Sequence, residues 1–131
     1  MVSIPNPYDR KGIFEIGTGA LGAPHLTISL IAISKEYFAQ GYGTFSQAVS
    51  PPEHFVTKVA GTFRDLPGGA QVYVLHGEAA SGLLGASFVT RAEIVLDKPF
   101  GNAGVAHYEV FDDTPEPRIL KDQPVKVRWL P

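Results

Sequence analysis

The sequence predicts an all-β domain, and three observations lead to that prediction. Apolar and polar residues alternate in most of its regular segments, the 14 glycines and 11 prolines fall largely between those segments, and no segment has a helical period over the length of an ordinary helix. About eight or nine short strands follow at the spacing typical of antiparallel sandwiches and barrels. We therefore expect one antiparallel β-sandwich domain over residues 1–131, with a closed β-barrel as the alternative.

The first part of the chain contains the clearest strand. Residues 1–10 include two prolines and have no period, so they are expected to form an extended arm. A short strand over residues 12–18 and a glycine-rich turn come next. Residues 25–34 then alternate with period two, and both faces become apolar towards the end, which predicts cover on both sides there. The residues expected on one face are Leu26, Ile28, Leu30 and Ala32, and those expected on the other are Thr27, Ser29, Ile31 and Ile33.

The middle of the chain predicts a meander of strands. Residues 43–49 form one strand, and the glycines on either side of Tyr42 indicate a bend or bulge where it starts. Residues 55–63 and 71–76 flank a Pro-Gly-Gly turn, and glycines between alternating segments are a strong hairpin signal. The phenylalanine face of residues 55–63, which includes Phe63, is expected to point into the core.

The last third of the chain predicts three more strands. In residues 88–98 we expect Phe88, Ile94 and Leu96 to point inward, and residues 105–111 to return as the next strand. A polar, proline-rich loop over residues 112–118 follows. The final segment alternates strictly, with the apolar face expected inward. That face consists of Val125, Val127 and Trp129.

Composition restricts the classes of partner. Eleven basic against thirteen acidic residues give a formal charge of -2, so no basic field is available to bind nucleic acid or an anionic membrane surface. The chain has no cysteine and no apolar run long enough to span a membrane, and its first residues lack the apolar region of a signal peptide, so a cytoplasmic protein is expected. The expected partner is a protein or a small-molecule ligand, and the expected state is a monomer or homodimer.

The sequence offers no catalytic, metal or cofactor motif. Its four histidines lack the spacing that places two imidazoles from one element on a metal. Residues 17–22 read GTGALG, but they lack the βαβ context of a dinucleotide site. A G-x-S-x-G nucleophile motif is also absent. We therefore predict no catalytic residues, no metal and no cofactor.

Four residues remain as ligand-binding candidates. His76 and Glu78 lie two residues apart in one strand, so they share a face and form the one local pair that resembles part of an acid–base or metal site. Tyr42 belongs to an aromatic group surrounded by glycines, which could stack on a ligand. Tyr73 lies in the same strand as His76.

One long segment resembles a known kind of family. The runs GAPHLTISLIAIS and GYGTFSQAVSPPEHFVTKVAGTFRDL, within residues 17–77, resemble a family of small bacterial proteins of unknown function built around a glycine-punctuated β domain. The resemblance implies a sheet fold and a bacterial origin. It implies no activity and no site residues.

Two functional hypotheses follow. The first is a non-enzymatic β-sandwich that acts by binding or structural association, because no catalytic constellation is present. The alternative is a barrel of the calycin or cyclase type that binds or isomerises a small apolar molecule, with His76, Glu78 or Tyr73 inside the barrel. A closed barrel with polar residues around an internal cavity would favour the alternative.

Overall fold

The structure, a computed structural model, describes residues 9–48, 53–80, 86–112 and 115–131. Neighbouring strands pair antiparallel in chain order, and the first strand also pairs with the last, so the sheet closes into a barrel. The fold is thus the closed barrel, which the sequence left as the alternative to the sandwich. Closure pairs every strand on both sides and leaves no free sheet edge. The strands are β1 (Arg10–Ile16), β2 (His25–Ile33), β3 (Phe38–Gln47), β4 (Glu53–Asp65), β5 (Gln71–Ala79), β6 (Phe88–Leu96), β7 (Ala103–Phe111) and β8 (Arg118–Trp129).

The core is the interior of the barrel. Alternate residues of each strand point inward, and large apolar side chains fill most of these positions. Phe14, Phe63 and Tyr73 form one aromatic group, in which the Tyr73 ring packs edge-on against Phe14 and stacks on Phe63. The inward faces predicted for residues 55–63 and 125–129 are confirmed by this burial, and of the two faces assigned to residues 25–34 the one with Leu26, Ile28, Leu30 and Ala32 is buried.

Several element boundaries differ from those expected. Arg10 already belongs to β1, while residues 1–8 of the expected arm lie outside the described residues. β3 begins earlier than expected, at Phe38, after a turn in which Tyr37 has a positive φ of 52°. β8 begins at Arg118, so a segment that we left unassigned pairs with β7.

A bulge in β6 changes which residues point inward. The register with β7 shifts between Val89 and Arg91, and each one-residue shift moves side chains to the opposite face. Val89 is consequently buried, whereas Phe88 is only partly buried and contacts Phe111. The expectation that Phe88 points inward with Ile94 and Leu96 is therefore wrong for Phe88.

The wall of the barrel is a single layer. Ile31 of β2 is 36% exposed, so the second cover expected over the end of this strand is not found there.

At one end of the barrel, Trp129 packs edge-on against Phe14 and Phe100, and its indole N–H donates to the Gly101 carbonyl at 2.9 Å. Among the described residues, no helix is long and apolar enough to cross a membrane.

Candidate functional site

The described residues form a groove on the outer wall of the barrel. It has a volume of about 760 Å³ and crosses four adjacent strands, β2 to β5. Two parallel rows of outward-pointing side chains line the groove, and each of the four strands contributes one side chain to each row. Cross-strand pairing places Ser29, Tyr42, Lys58 and Glu78 in the first, here called the tyrosine row, and Ile31, Gln40, Ala60 and His76 in the second, here called the histidine row.

Glycines explain how the groove can form on a barrel wall. The inward positions between the two rows are Leu30, Gly41, Val59 and Gly77, of which the two glycines carry no side chain. A Cβ atom at Gly41 would lie 1.8 Å from the Ser29 carbonyl oxygen, and one at Gly77 would lie 1.8 Å from the Val89 carbonyl oxygen. Backbone therefore occupies the space of these missing side chains. We infer that the wall bends inward here and that its outer surface becomes concave.

The polar side chains of the groove differ in whether they have a partner among the described residues. Within the described part of the chain, the side chains of Gln40, Tyr42 and His76 have no hydrogen-bond or ion-pair partner. Tyr42 is 55% exposed, so much of its ring is accessible. Lys58 and Glu78 face each other, with 3.8 Å between Nζ and Oε1, and both remain largely solvated. Such an exposed pair contributes little stability but removes net charge from the groove.

The structure brings together three of the four residues singled out in the sequence. Tyr42, His76 and Glu78 all line the outer groove. Tyr73 lies on the other side of the wall, fully buried in the core. Since His76 and Glu78 alternate with Tyr73 along β5, the three cannot line one internal cavity. Of the three residues that the calycin-like hypothesis offered for the barrel interior, Tyr73 lies there, whereas His76 and Glu78 lie on the outer wall.

Five groove side chains were missed in the sequence, although their faces were partly predicted. Ser29 and Ile31 were assigned to one face of their strand, and the prediction that the phenylalanine face of residues 55–63 points inward leaves Lys58 and Ala60 on the outer face. What the sequence did not provide was the register between strands, which decides that these residues stand beside Tyr42 and His76. The turn between β4 and β5 was recognised, and counting outward from it pairs Ala60 with His76. That count was the signal that could have found this part of the groove.

Tyr73 has a structural role in the barrel interior. Its hydroxyl donates to Gln71 Oε1 at 2.8 Å, Gln71 Nε2 donates to Asp65 Oδ1 at 2.9 Å, and the Phe100 amide donates to the same Gln71 oxygen at 3.0 Å. Burial, with a further contribution from the Asp65 charge, raises the pKa of Tyr73 well above its ordinary value. The residue stays neutral and hydrogen-bonded, and it is not accessible from the groove.

A second polar cluster surrounds Arg118, at the start of β8 and thus at the end of that strand opposite to Trp129. Arg118 Nη1 donates to Glu53 Oε1 at 3.0 Å and to Gln47 Oε1 at 3.2 Å, and Arg118 packs over the Phe45 ring. Its Nε lies 3.6 Å from Asp112 Oδ2. The cluster links β3, β4 and β8, and its charges are compensated from within the chain. We interpret it as structural.

The described residues contain no group of three or more histidines and carboxylates that could hold a metal ion. The four histidines do not converge: His76 lies in the groove, His107 accepts a hydrogen bond from the Asp122 amide at 2.9 Å, and His25 and His54 lie on β2 and β4. The absence of a metal or cofactor remains a prediction from the sequence.

Comparison with known families gives one match. Residues 11–114, which run from β1 through β7, match the model of a domain of unknown function, DUF1842. The comparison with curated proteins finds no match. The resemblance to a family of unknown function is thereby confirmed, while the bacterial origin that it implied stays a prediction. The chain belongs to the DUF1842 family.

Proposed function

We propose that the protein is a non-enzymatic binding module that holds a small ligand in the outer groove. The observation that supports this most strongly is the grouping of Gln40, Tyr42 and His76, whose polar atoms have no partner in the described residues, around one concavity of about 760 Å³. Ligand sites commonly combine such a concave surface with a few convergent polar groups. The interior is filled mainly by apolar side chains, so the groove is the better location for a ligand.

A blocking substitution tests the groove directly. Ala60 is exposed on the groove surface, so Ala60→Trp should fill the site without disturbing the core. Val105→Trp is the matched control, because Val105 is 44% exposed on the opposite wall and does not line the groove. A fragment library would be screened by ligand-observed NMR against the wild type and both variants. Fragments that bind the wild type and Val105→Trp but not Ala60→Trp, and that shift the amides of Gly41 and Gly77, support the proposal. Hits that Ala60→Trp still binds as tightly would contradict it.

The non-enzymatic part of the proposal rests on the local chemistry of His76 and Glu78. A general base and its orienting partner need to lie within hydrogen-bond reach, yet the partner closest to the Glu78 carboxylate is Lys58, at 3.8 Å. We expect His76→Gln and Glu78→Gln to fold normally and to reveal no lost activity on ester, phosphate and glycoside panels. A wild-type turnover that either substitution abolishes, with unchanged melting, would establish an enzyme instead.

A further inference from the structure

We propose that the ligand of the outer groove is a short, uncharged oligosaccharide. This inference rests on the proposed binding function of the groove and specifies its ligand class. Three properties of the described lining lead to it: the balance of its charges, the mixture of apolar and hydrogen-bonding side chains, and its open shape across four strands.

The charges of the groove favour a neutral ligand. Lys58 and Glu78 are the charged side chains among its described lining residues, and they oppose each other across paired strands. A phosphate or carboxylate ligand would need a cation that is not already compensated, as in Arg or Lys phosphate sites. A cationic ligand would need an uncompensated carboxylate. Neither is available, so nucleotides, acidic metabolites and polyamines fit the groove poorly.

The side chains of the groove match the two surfaces of a sugar ring. A pyranose presents an apolar face of C–H groups and a rim of hydroxyls that both donate and accept hydrogen bonds. The half-exposed ring of Tyr42 can pack against the apolar face, with Ile31 and Ala60 beside it. Gln40 and His76 each offer both a donor and an acceptor to hydroxyls when the imidazole is neutral. Because these two side chains are unpartnered in the described residues, they need not break a bond to the protein first.

The shape of the groove disfavours the other neutral ligands. Four strands are separated by three spacings of about 4.8 Å, so the groove is roughly 14 Å across, enough for more than one sugar unit. An open site on the outer wall cannot enclose a lipid or an apolar cofactor, which require burial. A peptide cannot extend the sheet, because the closed barrel has no free edge. Proline-rich peptides need several aromatic residues, and Tyr42 is the only one among the described lining residues.

The test is a titration of isotope-labelled protein, followed by amide chemical shifts, with a panel of neutral gluco-, manno-, galacto- and chito-oligosaccharides. Uronic-acid and sulfated oligosaccharides of similar length serve as charged counterparts. We expect at least one neutral compound to shift amides at Gly41, Tyr42 and Gly77, and its charged counterpart to bind at least about threefold more weakly.

Substitutions separate ring packing from charge in the same titration. Tyr42→Ala should weaken binding by about tenfold or more, whereas Tyr42→Phe, which keeps the ring, should change it by less than about threefold. Tyr37→Asn is the control for loss of an exposed tyrosine: Tyr37 is 54% exposed, does not line the groove and has a positive φ that Asn tolerates. It should bind like the wild type. The double variant Lys58→Gln, Glu78→Gln removes the charged pair of the groove and tests whether either charge holds a bound saccharide.

The outcomes distinguish this inference from the function on which it rests. If no neutral saccharide shifts the groove amides, while fragments of another class bind in a manner that Ala60→Trp abolishes, the groove is a binding site and the saccharide inference is wrong. If only charged saccharides bind and the double variant loses them, the charge argument is wrong and the inference fails with it. If Ala60→Trp affects no ligand at all, both proposals are overturned.

Discussion

Two buried tyrosines of the barrel interior differ in one respect, the state of their hydroxyl groups. The Tyr73 hydroxyl donates to Gln71 at 2.8 Å. The Tyr108 hydroxyl is equally enclosed but has no hydrogen-bond partner in the part of the chain that is described. Burying a polar group without a partner costs free energy, whereas a satisfied one contributes about 0.5 to 1.5 kcal/mol. The same chemical group is therefore expected to have opposite effects at these two positions.

Removing each hydroxyl tests this difference. Tyr73→Phe should lower the free energy of unfolding by about 1 kcal/mol, because it deletes a bond while the Phe100 amide still satisfies the Gln71 oxygen. Tyr108→Phe should leave the free energy of unfolding unchanged within about 0.5 kcal/mol, or raise it. Both are measured by urea denaturation at neutral pH. A loss above about 1 kcal/mol for Tyr108→Phe would mean that its hydroxyl has a partner in solution.

Burial of Tyr108 also predicts how the stability of the protein responds to alkaline pH. Burial raises the pKa of Tyr108 from 10.0 to about 12, and the nearby Arg118 charge partly opposes that rise. In the unfolded chain the hydroxyl ionises near pH 10, so above that pH the unfolded state binds fewer protons than the folded state and stability falls as pH rises. The full contribution of neutral Tyr108 to the free energy of unfolding is therefore present below pH 10. It is lost as the pH rises through the pKa that Tyr108 has in the folded state.

Comparison with the phenylalanine variant isolates this contribution. Between pH 9 and pH 12 the wild type should lose about 2 kcal/mol more of its free energy of unfolding than Tyr108→Phe does, since other titrating groups are common to both. Urea denaturation at several pH values over this range measures the difference. Parallel curves for the two proteins would show that Tyr108 does not titrate differently on unfolding.

At the scale of the strand, the sequence predicted which residues share a face of one strand better than it predicted which residues of adjacent strands lie side by side. Alternation alone put Leu26 and Ile28 on one face of their strand and placed Phe63 inward, and all three are buried because one face of a barrel wall must be buried. It failed at Phe88, where the bulge in β6 shifts the pattern by one residue without a distinct local signal. The outer groove could not be predicted in full, because it depends on the register between four strands and hence on every turn connecting them.

β3 pairs with both neighbours without a register shift, so the bulge expected beside Tyr42 is not found, but the role of glycine in the groove floor can be tested. At Gly77 an added Cβ would lie 1.8 Å from the Val89 carbonyl and 2.6 Å from the Thr57 methyl group. Gly77→Ala should therefore cost more than about 2 kcal/mol of stability, through displacement of the β6 backbone. Gly68→Ala is the matched control, since a Cβ there meets nothing within 4 Å, and its effect should stay within about 0.5 kcal/mol. Thermal melts that show equal losses for the two variants would contradict the close approach of β5 and β6.

At the scale of the whole molecule, the sequence could not decide between a sandwich and a barrel. Both architectures bury alternate residues of antiparallel strands, so periodicity is the same in each. The difference lies in one long-range pairing, between β1 and β8, near the two ends of the described chain. Contacts of that kind depend on how twist and coiling accumulate around the entire sheet, and no local pattern records this sum.

A cross-strand disulfide tests that pairing directly. Glu15 and Lys126 are opposite each other in β1 and β8, with outward side chains, and the chain has no cysteine that could compete. In the double variant Glu15→Cys, Lys126→Cys, a disulfide should form readily in the folded state. It should raise the free energy of unfolding, because it constrains a loop of roughly 100 residues, for which the chain-entropy limit is about 4 to 5 kcal/mol. The control is Glu15→Cys, Thr27→Cys, which joins β1 to its other neighbour β2 through a far shorter loop and should stabilise less. Mass spectrometry without reductant detects each crosslink, and melting with and without reductant measures its effect. A control that crosslinks while the β1–β8 pair stays reduced would show that the sheet is open between these strands, since a gap there would separate the two sulfur atoms beyond bonding distance.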